Sequence, residues 1–192
     1  MIIGVTGGIG CGKTTFSNIL AKKLNAPILD ADKISRESMN STEILTKICT
    51  FFSNDIFDKN GKIDRKKVAL IAFSDENKLK NLNDIIHPFV MSQIKEQCES
   101  LKNDNEYIIL DVPIPVKDFK ILCDYIVTVW SDLDLRISRI SNRSDMTNEE
   151  ILARIKKQMP QEEYEALADT VIYNNSSIEF LEDKATNLIK TF

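Results

Sequence analysis

Residues 1–20 read MIIGVTGGIGCGKTTFSNIL, and this stretch decides the fold. Met1–Val5 is a short apolar run of buried-strand character. Gly7 to Thr14, GGIGCGKT, then matches the pattern G-x-x-x-x-G-K-[ST] in full. From Lys13 the period changes: Phe16, Ile19, Leu20 and Leu24 fall on one helical face, and Asn25-Ala26-Pro27 stops the run. A glycine loop between a strand and a helix can turn successive main-chain N–H groups inward as an anion nest, and the helix start adds its partial positive charge. The expected phosphate site is therefore Gly8, Gly10, Cys11, Gly12, Lys13, Thr14 and Thr15. Lys13 would bridge the outer phosphates of ATP, and the Thr14 hydroxyl would complete a Mg²⁺ shell.

Outward from the loop, strand and helix patterns alternate. Ile28-Leu29 is a second strand closing on Asp30-Ala31-Asp32. Tyr107–Val112 and Tyr125–Trp130 are continuous apolar runs, as expected where helices cover both faces of a sheet, and Val171–Tyr173 is a shorter one. Helical patterns lie between and after them: Val90, Ile94, Cys98 and Leu101; then Ile137 and Ile140; then Ile178, Leu181, Ala185 and Leu188. The fold class predicted is α/β, a doubly wound, mostly parallel sheet of P-loop type. The middle of the chain is more helical and polar and reads as an insertion. Within it, FDKNGKID places Asn60-Gly61 as a hairpin turn. The same stretch fails as a calcium loop, because with Gly61 at the sixth position the first and twelfth are Ile56 and Lys67.

Composition narrows the function. A net charge of −4 over 192 residues provides no global basic field for nucleic acid, so any anion site is local. Four scattered cysteines without a CxxC pair, and a single histidine, form no zinc-ligand spacing and fit a reducing compartment. The N-terminal apolar run is broken by Gly4 and Gly7 and has no charged leader, so the expectation is a soluble cytoplasmic protein with no membrane contact and no obligatory protein partner. A GTPase would need a base-reading NKxD and an ABC-type ATPase an LSGGQ, and neither occurs. A small phosphotransferase remains.

Such an enzyme needs an acid and mobile cations near the phosphates. Asp30 and Asp32 stand at a strand end, where one can accept a proton or bind metal, or cap the following helix. Asp111 ends an apolar run and is either a metal-holding acid or a satisfied strand-end turn. Arg136, Arg139 and Arg143 recur at spacings of three and four and are expected on one helical face, either solvated or gripping a polyphosphate. The polar turn Asn142–Asn148 and a second helix with Arg154 complete a lid-like helix pair. His87-Pro88 is expected to open the helix running to Leu101. Cys11 inside the loop makes alkylation a probe: it should slow the enzyme, and ATP should protect.

Taken in order, these motifs resemble the dephospho-coenzyme A kinase family along nearly the whole chain. The family's TGGIGSGKS loop stands here as Thr6–Thr14, TGGIGCGKT, and its DAD motif as Asp30–Asp32. Gly61-Lys62-Ile63-Asp64-Arg65, His87-Pro88, Asp111-Val112-Pro113, the lid pair Arg139 and Arg143 with Gln158, and Ile172-Tyr173-Asn174 follow in sequence. The resemblance implies transfer of the γ-phosphate of ATP to the ribose 3′-hydroxyl of dephospho-coenzyme A. It implies Asp32 as the base, Lys13 and Arg139 on the phosphoryl group in flight, Arg143 as a second clamp, and Asp32, His87 and Asp111 on the acceptor side. It further implies a single P-loop kinase unit with a core at about residues 1–39, 105–132 and 168–192, a helical substrate region at about 40–104 and a lid at about 133–167. Two departures stand out. Ile114-Pro115-Val116-Lys117 replaces the family's leucines, aromatic and glutamate, and Arg136 takes the place of a glutamine. A related kinase for another nucleoside-like alcohol, or a non-catalytic nucleotide-binding relative, are the alternatives they leave.

Overall fold

The computed structural model describes residues 1–52, 56–61, 63–113 and 117–192. Its chain divides into two compact units, residues 1–31 with 97–192, and residues 32–96.

The first unit is built on a five-stranded parallel sheet: β1 (Ile2–Thr6), β2 (Ile28–Asp30), β3 (Ile108–Asp111), β4 (Tyr125–Trp130) and β5 (Thr170–Tyr173), in the order β2-β3-β1-β4-β5. The central strands are buried on both faces, which is why they read as unbroken apolar runs. Helix α1 (Lys13–Leu24) covers one face and ends where Asn25 turns left-handed, at φ 49°. With α10 (Ile178–Ile189) it seals a core containing Ile3, Val5, Phe16, Leu20, Ile109, Val127, Leu181 and Leu188. Because β1 is flanked by β3 on one side and β4 on the other, the chain reverses its winding at β1. The crevice at the carboxyl ends of these strands is where an open α/β sheet receives a ligand. Asp30 lies opposite Asp111 in the β2–β3 register, so two carboxylates share that edge.

The second unit is helical. It holds α2 (Ala31–Ser38) from Asp32 onward, α3 (Thr42–Phe51), α4 (Arg65–Phe73) and α5 (Glu76–Lys102) as far as Glu96. Its buried residues include Ile44, Ile48, Ile56, Val68, Ala72, Ile86, Val90 and Ile94. The expected Asn60-Gly61 turn is present: Phe57 and Ile63 form an antiparallel bridge across it, with Gly61 at φ 73°.

One element departs from expectation. His87-Pro88 does not open a helix, because α5 runs for 27 residues straight through Pro88. The apolar spacing continues on both sides, at Leu82, Ile86, Val90 and Ile94, and that burial outweighs the hydrogen bond proline removes.

The remaining helices belong to the first unit: α6 (Lys117–Leu122), α7 (Leu133–Ser141), α8 (Asn148–Lys156) and α9 (Gln161–Leu167). Thr147 and Glu150 form a reciprocal capping box that fixes the turn between α7 and α8. No helix among the described residues is long and apolar enough to cross a membrane.

Candidate active site

The glycine loop leaves β1 and enters α1 as expected. Gly10 and Gly12 adopt φ values of 80° and 90°, a region that side chains rarely visit. Space forbids a side chain there as well: a Cβ on Gly10 would lie 2.8 Å from the Arg136 carbonyl, and one on Gly12 would overlap Asn174 Nδ2. Gly12 is the N-cap of α1 and supplies no side-chain cap, so the helix start presents its amides and dipole to an anion. Thr14 and Thr15 are exposed on the first turn. Lys13 donates from Nζ to Asp111 Oδ1, and the carboxylate is nearly buried, at 3 % side-chain exposure. The ammonium and Asp111 thus compensate each other's charge where an anion would dock.

Around this core the structure gathers groups from the other strand ends. Ser131, directly after β4, shares its one hydroxyl proton between the carbonyls of Asn174 (2.6 Å) and Cys11 (3.2 Å). Asn174, directly after β5, donates from Nδ2 to the Cys11 carbonyl at 2.9 Å. Arg139 donates to Ser131 Oγ (2.8 Å), the Asn174 carbonyl (2.9 Å) and the Gly10 carbonyl (3.4 Å). Arg136 is only 3 % exposed and lies 4.6 Å over the Trp130 ring, donating from Nε to the Ile9 carbonyl at 2.9 Å.

The family model described as dephospho-CoA kinase matches residues 1–179. The chain belongs to the dephospho-CoA kinase family. It is 41% identical over 192 residues to a dephospho-CoA kinase of Fusobacterium nucleatum, a match spanning 100% of this chain and 98% of that protein. Among solved structures, a Thermus thermophilus protein superposes with a TM-score of 0.84 at 30% identity, covering 100% and 97% of the two chains. The dephospho-CoA kinase of Campylobacter jejuni does so at 0.73 and 26%, covering 98% and 95%. The family's members are ATP-using kinases, and the P-loop α/β fold is theirs.

Several expected site residues have different surroundings from those the sequence implied. Cys11 joins the loop through its main chain only. Its N–H donates to the Gly8 carbonyl at 3.2 Å, while the thiol is fully buried in a cluster with Trp130 and Tyr164. Burial pushes that thiol above the ordinary cysteine range. Alkylation of Cys11 is therefore not expected, contrary to the reading from its place in the loop. The three lid arginines do not share a helical face: α7 ends at Ser141, so Arg143 lies beyond its C-cap and is exposed. Arg136 and Arg139 are held by loop carbonyls, which removes the solvated-face alternative for both. Asp32 sits inside the first turn of α2 rather than before it, exposed where the helix dipole favours a carboxylate. His87 is exposed mid-helix. In the departure after Pro113, residues 114–116 lie outside the described residues, as does Lys62 of the Gly61–Arg65 motif.

Ser131 was missed from sequence. Its only signal is a polar residue directly after an apolar strand, which many strand ends share. Asn174 and Gln158 were legible as motif positions without a role.

Proposed function

We infer that the chain transfers the γ-phosphoryl group of ATP to the ribose 3′-hydroxyl of dephospho-CoA, giving CoA and ADP. One observation carries this reading: an uncapped α1 start, with Lys13 held by a buried carboxylate, in a glycine loop at the switch point of a parallel sheet. A triphosphate arriving there takes the amides of the loop and draws the Lys13 ammonium onto its outer oxygens. Asp111 then loses its cation partner. Together with the exposed Thr14 hydroxyl it provides hard oxygen donors of the kind Mg²⁺ accepts alongside phosphate oxygens and water. The ion, when bound, supplies neutralisation of the charge between the β- and γ-phosphates.

Asp32 is assigned as the base that accepts the proton of the 3′-hydroxyl. A carboxylate suffices because a loose phosphoryl-transfer transition state demands little nucleophile activation. Arg139, by leaving the Gly10 and Asn174 carbonyls, is assigned to the charge on the transferring group, with Arg143 as a second clamp from the lid. The helical unit is assigned to the acceptor. In support, it carries a groove of about 670 Å³. Lys47 and Phe51 of α3 line it together with Asn81, Asp84, Phe89 and Gln93 of α5. Its amides and aromatic rings suit an amide-bearing, partly apolar arm. Four free cysteines and an ATP requirement agree with a cytoplasmic enzyme.

Coupled ADP release tests the reading. Wild-type protein is expected to turn over with dephospho-CoA and to be far slower with nucleosides or nucleoside monophosphates. Asp32→Asn should lower kcat by about 100-fold or more while ATP affinity stays within about twofold. A preference for another acceptor, or near-normal turnover by Asp32→Asn, would overturn the corresponding assignment.

A further inference from the structure

Three successive loop carbonyls are held from outside the loop. Ile9 O accepts from Arg136 Nε at 2.9 Å, Gly10 O from Arg139 at 3.4 Å, and Cys11 O from Asn174 Nδ2 at 2.9 Å and Ser131 Oγ at 3.2 Å. The donors come from α7 and from the residues following β4 and β5. No peptide bond here is cis, so each carbonyl held outward sets the next amide on the opposite side. The amides so oriented are those of Gly10, Cys11 and Gly12. That of Cys11 turns to Gly8 O, which leaves Gly10 and Gly12 for an anion. Ile9 is also held at its N–H, by Gln158 Oε1 at 2.8 Å, and the same oxygen accepts from Arg136 at 3.3 Å. A loop this rich in glycine has many conformations to lose on binding. The contacts at Ile9 and Cys11, which Arg136 and Asn174 keep whatever Arg139 does, remove part of that freedom before any ligand arrives.

We propose that Arg136 and Asn174 are positioning residues for nucleotide binding, holding the Ile9 and Cys11 carbonyls so that the Gly10 and Gly12 amides face the phosphates. The proposal rests on the reading of the loop as the ATP site. It gives Arg136 a different task from a lid arginine that grips phosphate: its guanidinium is spent on Ile9, Gln158 and the Trp130 face. It also gives the late Asn174 a function. The effect falls on phosphate affinity and leaves the acceptor untouched.

The test uses the full chain. Kd for ATP and for inorganic tripolyphosphate is measured by calorimetry, and KM for ATP and for dephospho-CoA by ADP release. Asn174→Asp keeps the side-chain shape but turns an oxygen onto the Cys11 carbonyl. Arg136→Met keeps length over Trp130 without a donor, and Arg136→Gln restores one donor. Asn174→Asp and Arg136→Met should weaken both ligands by roughly tenfold to a hundredfold, the worth of one hydrogen bond of this kind. KM for dephospho-CoA should stay within about twofold, and Arg136→Gln should recover most of the ATP affinity. Wild-type ligand affinities in both variants, even with lowered melting temperatures, would overturn the proposal. Should Asn174→Asp not fold, the Arg136 pair decides alone, and equal ATP affinity in Met and Gln variants overturns it. Lys13→Ala separates this from its parent reading: binding by wild type that Lys13→Ala abolishes keeps the loop as the site whatever the other variants do. Failure of wild type to bind ATP removes the site reading and the proposal together.

Discussion

At Cys11 the sequence places a thiol within the phosphate loop, and the fold turns it inward against Trp130 and Tyr164. Thiolate is the reactive species, and burial raises this thiol and closes access to it. Iodoacetamide at pH 8 should label exposed Cys49 and leave Cys11 unmodified, with or without ATP, as read by peptide mass spectrometry. Labelling of Cys11 that ATP slows would contradict the packing. The spacing of the loop was legible because glycine, lysine and threonine each serve a local need. The direction of the Cys11 side chain was not, since it depends on Trp130 and Tyr164, 119 and 153 positions away. Arg136 is a similar case. Three arginines at helical spacing read as a phosphate clamp more readily than as a wet face, and only Trp130 beneath the Arg136 guanidinium and the Ile9 carbonyl beside it decide otherwise.

Among the elements, the three central strands were legible because their runs are apolar without alternation, the mark of a sheet covered on both sides, while β2 and β5 offered only shorter apolar runs. Helix α1 was legible from its change of period and its Asn25 stop. Helix α5 was read too short, because His87-Pro88 is a sound local signal for a helix start and the tertiary burial on either side of it is invisible to such a rule. The ring at position 88 removes the N–H that would bond the Asp84 carbonyl. Pro88 is exposed, so its replacement disturbs little packing. Pro88→Ala should therefore raise stability by about 1–3 kcal/mol in denaturant unfolding. A loss of stability would mean that the surrounding helices are built around the proline's local distortion.

On the scale of the whole molecule, buried Tyr164 and half-buried Cys123 of the first unit set an alkaline limit. Burial pushes the Tyr164 hydroxyl, which donates to the Pro113 carbonyl at 2.8 Å, up to about 12, and the Cys123 thiol likewise to about 12. The unfolded chain releases these protons near their ordinary values, about 9 for the thiol and 10 for the phenol. Between roughly pH 9 and 12 the folded state binds more protons than the unfolded one, so stability is full below that window and falls as pH rises through it. Tyr164→Phe should flatten part of that fall at a cost near 1 kcal/mol at neutral pH, and an unchanged alkaline slope would show the phenol to be uninvolved. The strand–helix alternation announced the parallel sheet. The boundaries at 31/32 and 96/97 were not legible, since α2 and α5 each run through one without a break in pattern. The central claim is that the glycine loop delivers the terminal phosphate of ATP to the acceptor's ribose. Phosphorus NMR of a reaction containing wild-type protein, ATP and dephospho-CoA tests it most directly. A new 3′-phosphomonoester resonance, rising in step with ADP and absent with Lys13→Ala, is the predicted result. ADP formed without that resonance, or the resonance formed undiminished by Lys13→Ala, would contradict the account.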